Sequence, residues 1–250
     1  LRRRKRDVLG DLPPKLVSDV TVALGRARRE SYERTEREGV VELYRMGEAV
    51  TVESVLELII RLKQICNFCP VTGQSAKLED LVARLEELQE EGSRALVFSQ
   101  FVDSSFGAAA IARRLRAFRP LLYTGAMSAA RRDAVVRQFR ERPEHRVLVL
   151  SPRAGGQGLN LQDASHVFHF DRWWNPAVER QAEDRSHRLG QTLPVNVYRY
   201  ISEGTVEERI AEVLRDKQLL FDEMVDDVSL DPQERLSAED LFGLFGLAPE

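Results

Sequence analysis

The stretch Val147-Leu148-Val149-Leu150-Ser151-Pro152-Arg153-Ala154-Gly155-Gly156-Gln157-Gly158-Leu159-Asn160-Leu161 decides how this chain is read. Its first four residues are a short apolar run that reads as a strand. The three glycines that follow let backbone N–H groups approach a phosphate closely. A plain turn is the alternative reading of that loop. Apolar runs of the same kind recur at Ala95-Leu96-Val97-Phe98, Leu121-Leu122-Tyr123, Val167-Phe168-His169-Phe170 and Val195-Asn196-Val197-Tyr198. Amphipathic stretches separate them, near 76–90, 102–118, 128–140 and 176–188. Strand–helix alternation of this length predicts an α/β fold of βαβ units, with a parallel sheet covered by helices on both faces. In such sheets the ligand site lies beyond the carboxyl ends of the strands.

Upstream of this region the rhythm differs. Apolar residues at Val52, Val55, Leu56, Ile59, Ile60 and Leu62 have helical spacing. The charged region around 26–45 also reads as helix, and Pro70 and Gly73 mark a break over 67–73. Downstream, a long helix is expected from Thr205 to about Met224, followed by an acidic stretch and a short amphipathic end from Leu236 to Leu247.

A length of 250 residues allows one large core or two small domains. Hydrophobic content of 43% and charged content of 31% fit a globular protein, and no apolar run reaches the ~20 residues of a membrane helix. The expectation is therefore no membrane partner. The chain opens on Leu1 and the basic run Arg2 to Arg6, which suggests a piece of something longer. With a net charge of −3, any nucleic-acid site must be a local basic patch. Each candidate run, such as Arg113-Arg114-Leu115-Arg116, has a solvated helix face as its alternative reading. Cys66 and Cys69 form a single Cys-Asn-Phe-Cys, half of a zinc site with no second half in view, so no metal is expected. They read as two reduced thiols, with a redox pair as the alternative.

The segment Gln181 to Gln191 carries the chemistry. Asn175-Pro176 is a good helix start, since Asn caps and Pro fits the first helical position. On a helix running from Pro176 to Arg188, Gln181, Arg185 and Arg188 share one face at spacings of four and three. Guanidinium groups are permanently charged, planar and matched to phosphate oxygens. The alternative is a solvated face on which Glu183 and Asp184 pair locally with the arginines. The chain contains neither a G-x-x-x-x-G-K-[ST] phosphate loop nor an acidic Mg²⁺-binding motif of the Asp-Glu-x-His kind. This predicts half of a two-lobe motor, in which another lobe holds the nucleotide and closure brings the arginines onto its phosphates.

Several blocks taken in order resemble the second RecA-like lobe of the Swi/Snf-type ATPases, DNA translocases of helicase superfamily two. They are Leu1 to Arg6 with Asp11-Leu12-Pro13-Pro14-Lys15, Leu62 to Asn67, Ser75-Ala76-Lys77-Leu78, Val97 to Phe101, and Tyr123-Thr124-Gly125 with Arg131 and Phe139. Ser151 to Leu161, Asp171-Arg172-Trp173-Trp174-Asn175-Pro176 and Gln181 to Gln191 complete the set. Phe68 stands where the family usually has His, and Pro152 where it usually has Thr.

The resemblance implies a RecA-like parallel sheet flanked by helices, with an N-terminal helical protrusion and a C-terminal brace helix. The expected divisions are an inter-lobe linker (1–15), the protrusion (16–73), the lobe proper (74–204), and the brace helix with its tail (205–250). It implies arginine fingers at Arg185 and Arg188 and a nucleotide-binding set of Gly156, Gly158, Gln181, Arg185 and Arg188. It implies DNA contacts from Ser99, Gln100, Gly125, Ser151, Arg153, Trp173 and Trp174, although core packing is the other reading of each tryptophan. ATP with Mg²⁺ would be held mainly by the other lobe, so the lone chain is expected to hydrolyse little. The implied partners are double-stranded DNA, the N-terminal RecA-like lobe of the same protein and, as a further candidate, a DNA-bound protein substrate. The expected location is bacterial cytoplasm at the nucleoid, or the nucleus of a eukaryote. Two other readings stay open: a non-catalytic protein-interaction module, and the lobe of a strand-separating RNA or DNA helicase.

Overall fold

Parallel pairing of six strands organises the chain, whose computed structural model describes residues 12–151, 159–224 and 236–247. The strands are β1 (Lys15–Val22), β2 (Ala95–Phe98), β3 (Leu121–Tyr123), β4 (Val147–Leu150), β5 (His166–His169) and β6 (Val195–Ser202), in the sheet order β1-β6-β5-β2-β4-β3. Every residue of β2 and β4 is buried, as continuous apolar runs require when both sheet faces are covered. In register, Phe98 lies opposite Leu150 and His169, and Leu150 lies opposite Tyr123. Four strands thus end level with one another.

The helices are α1 (Arg26–Met46), α2 (Val52–Asn67), α3 (Ala76–Glu91), α4 (Ala108–Arg114), α5 (Ala129–Glu141), α6 (Pro176–Glu183), α7 (Val206–Met224) and α8 (Ala238–Gly243). Phe139 of α5 and Ala182 of α6 pack with Leu96, Phe98, Leu148, Leu150, Val167 and Val197 of the strands in one apolar cluster. Burying each large member stabilises the fold by about 1.5–3 kcal/mol.

Two expectations about elements are corrected here. Residues 16–22, expected in the helical protrusion, form β1. Val195 N–H donates to the Pro14 carbonyl at 3.0 Å and Glu203 N–H to that of Val22 at 2.9 Å, so β6 supplies the pairing edge that sequence periodicity could not show. The β-branched residues Val17, Val20, Thr21 and Val22 suit the extended backbone once that edge is present. The helix expected from 102 begins only at Ala108. Asp103 Oδ1 accepts the N–H groups of Ser105 and Phe106 at 2.7 Å each, closing a turn that competes with helix.

Gly107 then carries the chain past Phe101. A Cβ there would lie 2.5 Å from the Phe101 carbonyl carbon, a contact only backbone movement can relieve. Gly107→Ala is expected to destabilise the protein by about 1–3 kcal/mol. Urea unfolding checks this, and an unchanged midpoint would contradict it.

The chain divides into two compact units. The first comprises 1–20, 77–173 and 178–200 and holds most of the sheet. The second comprises 21–76, 174–177 and 201–250. Its core gathers Tyr32 and Leu43 of α1, Ile59 and Leu62 of α2, Ile210 of α7 and Phe242 of α8. The Tyr32 hydroxyl accepts from Val206 N–H at 2.6 Å, which ties the start of α7 to α1. Residues of the expected brace thus share one core with the early helices. Thr51 and Ser54 form a reciprocal cap at the start of α2. Cys66 and Cys69 are buried free thiols. Burial opposes charge on Cys69, but the Thr72 hydroxyl, the N–H groups of Thr72 and Val71, and nearby Arg28 together lower its pKa. No helix among the described residues is long and apolar enough to cross a membrane.

Candidate functional site

The carboxyl ends of β2, β4 and β3 lie side by side, and the residues that follow them form a row. Ser99 N–H donates to the Leu150 carbonyl at 3.2 Å, and Ser151 N–H to that of Tyr123 at 3.3 Å. The row therefore brings together Ser99 and Gln100, Ser151, and Thr124 with Gly125. Ser99 has no exposed surface, and its hydroxyl donates to Asp171 Oδ2 at 2.6 Å. Gln100 is partly exposed; its N–H donates to Asp171 Oδ1 at 2.8 Å and its side-chain amide to the Arg172 carbonyl at 3.4 Å. Gly125 is exposed, with open space where a Cβ would stand. Ser151 is buried at the mouth of the glycine-rich loop. Arg153, Gly156 and Gly158 lie outside the described residues.

Asp171 holds Ser99 and Gln100 in place and carried no role in the sequence reading. It sits just past the end of β5, where a carboxylate reaches the start of the loop after β2. The signal available beforehand was its position: an acidic residue directly after an apolar strand run.

The tryptophans part company. Trp173 belongs to the first unit and is 8% exposed. Trp174 belongs to the second, packs partly buried against its apolar core, and has the Lys63 ammonium 5.1 Å from its ring centroid. Both indoles therefore have packing partners.

Asn175 caps α6 as expected, its Oδ1 accepting Ala177 N–H at 3.0 Å. The helix ends at Glu183 rather than Arg188. Gln181, Arg185 and Arg188 therefore do not share a helical face: Gln181 is on the last turn of α6, and both arginines follow it on a run of tight turns. In a continuing helix the Arg185 carbonyl would accept from residue 189. Instead it accepts Leu161 N–H at 3.0 Å, from the segment leaving the glycine-rich loop. The Gln191 amide then donates to the carbonyls of Gln162 at 2.9 Å, Ala164 at 3.0 Å and Ser186 at 3.3 Å, closing the turn on itself.

This departure places the two arginines differently. Arg185 is 6% exposed, with its guanidinium 6.0 Å from the Phe98 ring at the end of β2. Burial pulls its pKa below the usual guanidinium value, partly offset by Tyr123 at the end of β3. Arg188 and Gln181 are exposed. One cation is thus seated at the strand ends beside Phe98, and a second projects into solvent three residues later.

The alternative reading paired Glu183 and Asp184 locally with the arginines, but Glu183 has other partners. Its carboxylate is fully buried; Oε2 accepts from Lys15 Nζ at 2.7 Å, and Oε1 accepts from Arg199 at 2.8 Å with His169 Nε2 at 3.4 Å. One helical turn earlier, Glu179 accepts Arg172 Nε at 2.9 Å and Trp173 N–H at 2.8 Å. Burial pushes both carboxyl groups up, yet their partners outweigh it and hold both below the usual carboxylate range: chiefly the Arg172 guanidinium for Glu179, and the His169 hydrogen bond with the cations Arg199 and Lys15 for Glu183.

Comparison with known proteins adds findings of three kinds: a family, curated relatives and solved structures. Residues 75–190 match the helicase conserved C-terminal domain. The chain is 34% identical over 260 residues to the putative ATP-dependent helicase/translocase YwqA of Bacillus subtilis, covering 99% of this chain and 28% of that protein. It spans about a quarter of the length of the curated relatives it matches. Among solved structures, the Sulfolobus solfataricus SWI2/SNF2 ATPase C-terminal domain aligns with a TM-score of 0.67 at 30% identity, covering 94% of this chain and 99% of that one. The SWI2/SNF2 ATPase core of the same organism in complex with dsDNA aligns with a TM-score of 0.71 at 31% identity, covering 99% of this chain and 54% of that one.

Proposed function

This chain belongs to the Swi2/Snf2 ATPase family as a C-terminal RecA-like domain, and from that premise we propose that it is the second motor lobe of an ATP-driven double-stranded DNA translocase. Arg185 and Arg188 act as arginine fingers on ATP bound with Mg²⁺ by the upstream lobe, and Gln181 is a polar companion in the same cleft. The observation that carries this reading is the seating of the arginine turn. Its backbone is bonded to the exit of the glycine-rich loop, and Arg185 lies over the end of β2, where ligands of parallel sheets bind. Fingers stabilise the charge that develops on the transferring phosphoryl group.

Gln100, Gly125 and Ser151, at or just beyond the strand ends, contact backbone phosphates of one DNA strand, and Arg153 adds a cationic contact to the same strand. Ser99 serves that row through Asp171. Phosphate contacts position the lobe without reading sequence, as translocation requires. Lobe closure on ATP, hydrolysis and reopening then advance the protein along DNA, at the nucleoid of a bacterium or in the nucleus of a eukaryote.

The test rejoins this lobe to its native upstream lobe and measures ATP turnover with and without double-stranded DNA, beside the lone chain. Turnover by the rejoined protein should rise with DNA, and the lone chain should hydrolyse little. DNA affinity should fall steeply with salt, and Arg153→Ala should flatten the log–log salt slope by about one. Substantial Mg²⁺-dependent turnover by the lone chain, or a rejoined protein indifferent to DNA, would overturn the reading in favour of an interaction module.

A further inference from the structure

The turn that carries Arg185 and Arg188 is fastened to Pro13-Pro14-Lys15, the segment by which the chain enters the sheet. Lys15 Nζ donates to Glu183 Oε2 at 2.7 Å, two residues before Arg185. His187 Nε2 lies 2.7 Å from the Pro13 carbonyl, two residues after Arg185 and directly before Arg188. A carbonyl only accepts, so His187 carries its proton on Nε2 in this contact. Val195 N–H donates to the Pro14 carbonyl at 3.0 Å, which holds the segment against β6. The two side-chain contacts thus bracket the buried arginine from both sides.

The bracketing matters because the turn has no helix to stiffen it. Of its backbone bonds, Arg185 N–H to Ala182, Ser186 N–H to Glu183 and Gln191 N–H to Arg188 each span three residues, Arg188 N–H to Ser186 spans two, and His187 N–H to Glu183 at 3.0 Å keeps the helical span of four. Short-span bonds of this kind have poorer geometry than the helical ladder. Beyond these local bonds and the Gln191 amide, tertiary contacts hold the arginines: Leu161 on one side and the entering segment on the other. A catalytic group displaced by about 1 Å can lose on the order of 10²-fold in rate.

We propose that Lys15, Glu183 and His187 form a latch between the entering segment and the arginine turn, and that Lys15 and His187 are positioning residues for Arg185 and Arg188. The proposal rests on the finger reading above. It assigns the entering segment a second task beyond connection: the arginines are competent only while Pro13 to Lys15 is docked. Any rearrangement that lifts this segment off β6 would withdraw the arginines from the phosphates.

The experiment uses the full two-lobe protein and measures kcat and KM for ATP at saturating double-stranded DNA, with thermal unfolding of every variant alongside. His187→Leu removes the donor to Pro13 and is expected to lower kcat by about 10- to 100-fold. KM for ATP should stay within roughly twofold, the pattern of an interaction that serves the transition state. His187→Gln, whose amide can donate to the same carbonyl, should restore most of kcat. Lys15→Met should lower kcat in the same direction. A purely structural role for His187 would instead lower Tm without the rescue by Gln, and that result would overturn the latch. So would an unchanged kcat in His187→Leu. Arg188→Ala in the same assay separates the two levels. If it abolishes turnover while His187→Leu does not change it, the fingers stand and the latch falls; if Arg188→Ala leaves turnover intact, both fall.

Discussion

Arg188→Ala in the rejoined two-lobe protein is expected to lower DNA-stimulated ATP turnover by at least about 10³-fold, with ATP binding retained, which is the scale of an arginine finger. Arg188 suits this test because it is exposed. Surface substitutions of that kind usually change stability by no more than about 0.5 kcal/mol, so lost turnover would report chemistry rather than folding. Arg185 is the harder residue to interpret. It is 6% exposed and lies over Phe98, so Arg185→Ala removes packing together with charge. Arg185→Lys keeps the charge but loses the planar fork, and should still lower turnover if the guanidinium meets phosphate oxygens. The measurement is steady-state turnover at saturating DNA, paired with nucleotide binding at equilibrium. Turnover indifferent to Arg188 would make the turn a surface feature and return the interaction-module reading to the front.

The second large effect concerns stability. Glu179→Ala removes the carboxylate that faces Arg172, a guanidinium only 7% exposed, and also frees the Trp173 N–H. Breaking a buried pair by deleting one partner typically costs about 3–5 kcal/mol; because Arg172 keeps Asp19 at 3.7 Å, the lower end of that range is expected. Urea unfolding should show a loss of that size, and a change below about 1 kcal/mol would mean that water reaches Arg172 and solvates it.

The same cluster predicts acid sensitivity. Both glutamates have folded pKa values below their ordinary value of 4.5. A carboxyl group depressed by folding stabilises the folded state fully above its unfolded pKa, and that stabilisation is lost as pH falls through the folded value. Stability should therefore hold above about pH 4.5 and decline progressively below it. Glu179→Gln should flatten the decline. An unfolding midpoint independent of pH across the acid range would contradict the arrangement.

Five of the strands were legible from sequence because each is a short apolar run bounded by turn signals, a local pattern that needs no partner to recognise. The start of α6 was legible for the same reason, since the capping Asn175 and the following Pro176 act on their own backbone. β1 was not legible. Its residues are mostly exposed, and they extend only because β6 offers an unfilled edge. The arginines were found by residue type and spacing, yet their geometry was misjudged, because the end of α6 depends on Leu161 taking the Arg185 carbonyl.

By itself, then, the sequence determined the alternation of strands and helices, the parallel sheet, and the presence of a glycine-rich segment and of two closely spaced guanidinium groups, since all of these follow from side-chain periodicity and chemistry within a few residues. Only the tertiary structure decided the strand order, the buried setting of Arg185 against the exposure of Arg188, and the partners of Glu183. The Glu183 carboxylate meets Lys15 across 168 residues of chain. Pairings over that distance are fixed by which elements the sheet brings together and by the need to compensate a buried charge, and neither condition leaves a local pattern to read.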